Sequence, residues 1–512
     1  MYTLEICLAL LALLLSLDRF LRAVRQKNSL PFPPGPPSDP FIGHLRVIPR
    51  GYNEAVYNEW RRKYGDVVYL NVLGKTIIML NSEKAAVDLL DKRSASYSDR
   101  PSVPMYDLLG VSDVLGFLPY ESEFHKMRKM IQQPFARRAC GVFQEIQRKQ
   151  CFSLLNNLTK EPQRFEEHIK RFSTMVILEI AYGQKDKDEQ RYLDMAEEIN
   201  QLFAGAGAAG STPIDLLPLL RYLPSWFPGA WFIRYAEKYR SVAQRVKDYP
   251  FDEVTRQMAD GNAPISFVSM HLEEMSRDGI DTAEERRRLK VSAFQLYIAG
   301  GKTTWLALEC FILAMVLHPH VQQKAQAEID RVIGRNRLPD FSDFEALPYI
   351  NCVVQEVLRW QTPAPLGLPH SVRKDDEYRG MRIPRGSVII ANNRCMTMDE
   401  NVYDEPHIFR PERFLPQSIG DEEPHPQCVF GFGRRICPGR HLAQGSVWIV
   451  AATILATFDI RPILDEQGQE VLPRLEFETA ITSQIKPFQC QIRPRSDESR
   501  HLISQTNLAL VE

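Results

Sequence analysis

Charge of one sign is scarce in this sequence. Its 63 lysines and arginines stand against 64 aspartates and glutamates, a formal net charge of −1 over 512 residues. That balance gives no reason to expect nucleic-acid or acidic-substrate binding. Cysteines in paired spacing are also lacking. Nine of them, an odd number scattered from Cys7 to Cys490, suit a reducing compartment better than a disulfide framework, so the Asn157-Leu158-Thr159 sequon is expected to go unused. No repeat of solenoid period is present. At 44% hydrophobic and 25% charged, the composition is ordinary globular material with ample core, and length alone suggests three domains or so.

The N-terminus falls short of a full membrane span on a strict count. Ile6 to Leu17 is apolar but for Ser16, and about 20 apolar residues are needed to cross a bilayer. Tyr2 to Leu17 with a snorkelling Arg19 approaches that length, so residues 1–21 read as a marginal single anchor. A secretory signal fits less well. The positive charges of Arg19, Arg22, Arg25 and Lys27 follow the apolar run instead of preceding it, and no small-x-small cleavage site is evident. Positive charge on that side predicts a cytoplasmic main body. Residues 22–40 then form a basic, proline-rich hinge, with Leu30-Pro31-Phe32-Pro33-Pro34-Gly35-Pro36-Pro37 as a stiff extended spacer.

The most informative stretch lies near the C-terminus. Phe430-Gly431-Phe432-Gly433-Arg434-Arg435-Ile436-Cys437-Pro438-Gly439-Arg440 precedes an apolar run from His441 to Phe458 that reads as a long buried helix. A cysteine at a helix mouth gains thiolate character from the N-terminal dipole. Glycines on each side let the backbone pass close to a flat ligand or take positive φ. An inert buried cysteine is the commonest fate of a free thiol, and a zinc site using Cys437, His441, His425 and Cys428 is a second possibility. Zinc explains neither Phe430 nor Arg435. The pattern Phe430, Gly433, Arg435, Cys437, Gly439 resembles the haem-binding loop of the cytochrome P450 superfamily at every diagnostic position. The resemblance implies haem b with Cys437 as its axial thiolate and the other four residues as cofactor contacts.

Val291 to His318 is a long, largely apolar helix containing Ala299-Gly300-Gly301-Lys302-Thr303-Thr304. Gly301-Lys302-Thr303 matches the end of a P-loop, but the first glycine would fall at Leu296 and a helix stands where a strand is required. The segment instead resembles the superfamily's distal oxygen-binding helix, in Ala299, Gly300, Thr303 and Thr304. Glycines there are expected to widen the helix for dioxygen, and a threonine hydroxyl, Thr303 first, to hydrogen-bond oxygen and relay protons. Lys302 departs from the usual acid. It could shuttle protons with a depressed pKa, pair with a substrate carboxylate, or turn toward another acid and leave the relay to water; Lys302, Thr303 and Thr304 are the catalytic candidates.

Further motifs follow in the superfamily's order. Arg128 matches a haem-propionate arginine, while Phe124 and His125 stand where a tryptophan and a second arginine are usual, with His125 as a possible substitute. His370 matches another propionate contact. Glu356, Arg359 and Arg413 resemble a buried structural network. Leu366, Leu368, Ala480 and Ile481 are the substrate-facing candidates. Ala204 to Ser211 and the prolines and aromatics up to Phe232 read either as a mobile lid dipping into a membrane interface or as a helix pair packed in the core.

The resemblance implies a mainly α fold with a small β-rich lobe: one haem-thiolate catalytic domain over 41–495, with a loose polar tail over 496–512. Its order of anchor, basic patch and proline hinge is similar to that of microsomal members, which implies a single-pass endoplasmic reticulum protein facing the cytoplasm. The implied activity is insertion of one oxygen atom from O2 into a hydrophobic small molecule, with electrons from NADPH through a flavoprotein reductase docking on Arg128, Lys129, Arg137, Arg138, Arg434 and Arg440. The chain looks most like fungal enzymes of secondary metabolism, with terpenoid-like substrates. Redox-neutral isomerase or dehydratase chemistry on the same fold, and a non-catalytic haem sensor, are the other functions the fold could host.

Overall fold

A computed structural model describes residue 16 and residues 30–49, 53–184, 189–479 and 481–511. The anchor expected over 1–21 and the basic part of the hinge lie outside the described residues, Ser16 apart.

The small β lobe begins with helix α1 (Glu54–Tyr64), capped by the Asn53 side chain and closed at Gly65, whose N–H donates to Arg61. Strands β1 (Val67–Val72) and β2 (Lys75–Leu80) pair antiparallel about Leu73 and Gly74. Both turn residues take positive φ, which matches the right-handed twist of a hairpin. β3 (His370–Ser371) and β4 (Val388–Ala391) complete a four-stranded sheet in the order β1-β2-β4-β3, with β4 parallel to β2. The proline run is no free spacer. Phe32 stacks on Tyr69 at 4.5 Å, and the carbonyls of Pro34 and Pro31 accept from the Tyr69 and Arg382 amides. From Pro31 onward the chain is part of the lobe.

The helical lobe is built from α2 (Ser122–Gln132), α3 (Gln144–Lys160), α4 (Phe165–Tyr182), α5 (Glu189–Ala206), α6 (Trp231–Ala259), α7 (Ala283–Leu317), α8 (Pro348–Trp360), α9 (Arg440–Thr457) and α10 (Asp497–Val511). α7 starts eight residues before the expected helix, capped by the Thr282 hydroxyl. It is apolar enough to cross a membrane, but 78% of its most apolar window is buried within the protein, and it runs through the core against α4 and α9. α9 is buried along most of its length from Leu442 to Thr457, as its largely apolar sequence requires. The tail corrects the expectation of a loose end. α10 packs on α3 through Ile503, which is buried, and through a hydrogen bond from Asn156 to Thr506. Strands β5 (Phe477–Thr479) and β6 (Ser483–Ile485) make a small separate hairpin.

Candidate active site

The Cys437 loop is held by short hydrogen bonds and by one close approach. The Cys437 amide donates to the Phe430 carbonyl at 2.8 Å. Gly433 has φ +50°, and a Cβ there would stand 2.3 Å from the Leu90 carbonyl, so this glycine is required by packing against residues 87–92, not by room for a ligand. Gly439 is the N-cap of α9. The half-buried Cys437 thiol is pushed up by burial and opposed by the Gly439 amide and the guanidiniums of Arg128 and Arg440. A coordinating metal deprotonates such a thiol outright.

Three guanidiniums gather beside this loop. Arg435 donates to the carbonyls of Ser98, Leu115 and Leu118 at 2.7, 3.2 and 2.7 Å. Arg100 donates to those of Gly116, Leu368 and Pro369 at 2.9, 2.7 and 2.6 Å. Arg128 on α2 donates to Gln132 and bears on Cys437 electrostatically. Burial lowers the pKa of all three, Arg435 to about 10 and Arg100 furthest. Asp99 is the carboxylate acting on Arg100 and Arg435. The guanidiniums outnumber the one carboxylate acting on them, a positive excess that suits the two propionates of a haem. That charge excess, with the thiol and the open approach at Gly439, where a Cβ would have no neighbour within 4 Å, shows that the residues present fit a haem.

His370 Nδ1 lies 2.8 Å from the Tyr97 carbonyl. A carbonyl only accepts, so Nδ1 carries the proton. Burial, then Arg100, holds the ring well below its ordinary pKa. Its Nε2 therefore becomes a donor only on protonation, which an adjacent carboxylate favours. His125 does not join this cluster. It is exposed, packed edge-on against Tyr120 at 4.6 Å.

The central helix presents Gln295, Ala299 and Thr303 on one face, four residues apart. Gln295 accepts from the Gly116 amide at 3.1 Å, and this ties that face to the loop holding Arg100 and Arg435. Ala299 is exposed and Thr303 partly so, although most of their neighbours are buried. The Thr303 hydroxyl donates to the Ala299 carbonyl at 2.8 Å. Thr304 is buried, its hydroxyl tied to the Gly300 carbonyl at 2.9 Å, so only Thr303 offers an accessible hydroxyl.

Two expectations for this helix are corrected. Residues Ala283–Leu317 are α-helical throughout, with no local widening. Gly300 is explained instead by helix packing, because a Cβ there would meet Ile177 of α4 at 2.8 Å. Lys302 does not face the Cys437 side. It lines a cleft between α4, α5 and α7 beside Trp305 and Glu197, and its pKa is lowered first by burial, against the attraction of Glu197. Among the described residues no acid lies within ion-pair distance of Lys302, and Glu197 attracts it only from the rim of the cleft.

Leu368 and Ile481 line a small cavity of about 20 Å³ together with Arg100, Tyr106, Phe117 and Ala208. Leu366 points elsewhere, packing on the α1–β1 cluster of Tyr57, Trp60 and Val68, and Ala480 lies outside the described residues. Glu356, Arg359 and Arg413 come together with no exposure at all: Arg359 bridges Glu356 at 2.7 and 2.8 Å, and Arg413 reaches it at 3.1 Å. Two residues carry no motif in the sequence, Glu423 in this network and Arg100 in the cluster beside Cys437. Glu423 holds Arg413 at 2.5 Å and balances the second arginine, while Arg100 comes from an irregular loop.

A two-lobed, mainly helical fold with a loop thiol amid uncompensated arginines defines a haem-thiolate oxidoreductase. The family model for cytochrome P450 matches residues 33–492. Cytochrome P450 monooxygenase 136 of Postia placenta is 39% identical over 489 residues, 94% of this chain and 92% of its own length. Cytochrome P450 monooxygenase COX2 of Coprinopsis cinerea is 37% identical (93% and 91%), and tryptamine 4-monooxygenase of Psilocybe cyanescens is 36% identical (93% and 95%). The chain belongs to the cytochrome P450 family, and these relatives are fungal monooxygenases.

Proposed function

We propose that this protein inserts one oxygen atom from O2 into a neutral, hydrophobic small molecule of fungal secondary metabolism, terpenoid-like in character. The apolar rings beside Arg100 support this reading: Tyr106 and Phe117 meet at 4.5 Å with tilted planes, with Phe203 close by, and among the described residues lining the small cavity next to them there is no carboxylate. A cationic substrate such as an amine would lack a counter-charge there. Cys437 would supply the thiolate ligand to a haem iron. Arg100, Arg128, Arg435 and, once protonated, His370 hold the propionates. When bound, a haem with a thiolate ligand supplies dioxygen activation and oxygen transfer. Thr303 turns its hydroxyl from the Ala299 carbonyl toward the accessible face and delivers a proton there, with water in place of the missing acid.

Electrons come from NADPH through a flavoprotein reductase, for which Lys129, Arg137, Arg138 and Arg434 offer exposed cations near the Cys437 loop. Exposed Leu219, Tyr222 and Trp226 lie in the segment between α5 and α6 and exposed Trp231 opens α6, and the same connection supplies Ala208 and Ala209 to the cavity wall. This supports a lid resting on the endoplasmic reticulum membrane, with the N-terminal residues as anchor. Lys302 faces another cleft and lends isomerase or dehydratase chemistry no support.

The test is reconstitution with a fungal reductase in 18O2, with mass spectrometry of products from a terpenoid panel and from tryptamine. Reductase-dependent incorporation of one 18O atom into a neutral terpenoid is expected. Turnover of the amine alone would overturn the substrate class, and the lack of a strongly red-shifted Soret band with carbon monoxide would overturn Cys437 ligation.

A further inference from the structure

A second hollow, of about 280 Å³, opens between α4, α5 and α7 on a different face of the central helix from Ala299 and Thr303. Two ammonium groups share its floor. Lys170 lies 4.3 Å and Lys302 5.8 Å from the centre of the Trp305 ring, so both project over one indole. Neither has an ion pair or hydrogen bond among the described residues.

The other charged groups around the cleft have partners. Arg171 is bound by Glu189 and by the Ser153 hydroxyl. Glu167 pairs with Arg164 at 2.5 Å, and Asp194 accepts from Gln190 at 2.8 Å. Glu197 stands at the exposed rim, where it accepts from Gln201 at 3.4 Å and makes no ion pair within 4 Å of Lys302. The floor therefore carries two like charges without an ion pair among the described residues; the acids that act on them are Glu197 at the rim and Glu309 below Trp305, whose pKa burial raises to about 7. Leu193, Ala196 and Ile298 add apolar surface to the walls.

We propose that this cleft binds a small amphipathic acid, its carboxylate held between Lys170 and Lys302 and its apolar body against Leu193, Ala196 and Ile298. A carboxylate there gains two charge-assisted hydrogen bonds and relieves the repulsion between the two ammonium groups. The volume suits a ligand of one or two rings, at the small end of ordinary binding sites. A divalent cation is disfavoured by the same two charges. The site is independent of the reading of the haem side, since none of its residues contributes to the Cys437 cluster.

The experiment is calorimetric titration of the haem-loaded, full-length protein with 2-naphthoate, with 4-phenylimidazole saturating the haem side and the Soret band followed in parallel. One equivalent is expected to bind without change in the Soret band. Lys302→Met and Lys170→Met should each weaken it at least tenfold, or about 1.4 kcal/mol, while Glu197→Gln, which removes only the rim acid, should hold or tighten it. The neutral 2-naphthamide, tested on the unsubstituted protein, should bind at least tenfold more weakly and decides the matter where a lysine variant fails to fold. Equal binding of acid and amide, no detectable binding of 2-naphthoate, or indifference to both lysine substitutions would overturn the proposal.

Discussion

The Arg435 guanidinium lies 3.8 Å from the centroid of the Phe124 ring, with Tyr120 on its flank at 5.9 Å. Phe124 occupies the position where a tryptophan is usual, so the ring keeps a stacking face for the buried cation and gives up only the indole N–H. Such a contact, largely desolvated, contributes about 2 kcal/mol. Phe124→Ala should therefore lower the haem content of the purified protein and speed haem transfer to apomyoglobin several-fold, whereas Phe124→Trp should match or exceed the parent. Unchanged haem retention in the alanine variant would show that the stacking contributes nothing.

What was legible in the sequence was local. The Cys437 loop and the Glu356–Arg359 pair are short-range patterns in which neighbours in sequence are neighbours in space, and α9 is apolar on every side, so its burial needed no knowledge of its surroundings. α7 is different. A helix that is apolar nearly all round carries no phase information, so the sequence could name Gly300, Lys302 and Thr303 without saying which faces the cofactor side. Lys302 sits on its flank and reaches the α4–α5 cleft, and Gly300 answers to Ile177. Arg100 and Glu423 were missed for another reason. Both come from irregular segments, and their partners are set by tertiary packing alone. The tail misled by its polarity: among its described side chains α10 buries Ser499, Ile503 and Thr506 on one side while exposing most of the others.

The Glu356 network has one centre and one balancing member. Glu356 accepts from Arg359, Arg413 and the Arg410 amide with no exposure to solvent. Glu356→Ala leaves two buried guanidiniums short of a carboxylate, a loss on the order of 3–5 kcal/mol, and should give protein without haem. Glu423→Gln keeps a hydrogen-bond acceptor for Arg413 and leaves Glu356 in place. It should fold, take up haem and unfold at lower urea by about 1–2 kcal/mol. Haem-loaded Glu356→Ala protein would contradict the assignment.

Glu309, one turn beyond Trp305 on α7, has its pKa raised by burial to about 7. The folded state thus binds its proton more tightly than the unfolded state, and the sign follows: its contribution is least unfavourable below about pH 4.5 and becomes a penalty as pH rises through 7. The full difference is on the order of 3 kcal/mol. Glu309→Gln should remove it. Urea unfolding at pH 5 and pH 8 should show the variant gaining on the parent as pH rises; a constant offset between the two proteins would mean that the carboxyl titrates normally.

Adjacent glycines on α7 should respond with opposite sign. At Gly301 an added Cβ meets Thr174 of α4 at 3.5 and 3.7 Å, ordinary contact distances, so Gly301→Ala gains helix propensity of about 1 kcal/mol with little steric loss. At Gly300 the same methyl stands 2.8 Å from Cγ1 of Ile177 and 3.0 Å from its Cδ1. Cγ1 is not the free end of that side chain, so α4 must shift or Ile177 must leave its rotamer, which costs about 1–3 kcal/mol and outweighs the propensity gain. Thermal unfolding should therefore place Gly301→Ala above the parent and Gly300→Ala below it, and Gly300→Ala combined with Ile177→Val should recover part of the loss. If dioxygen access were instead the reason for Gly300, the stability of its alanine variant would rise like that of Gly301→Ala, while product formation alone would fall.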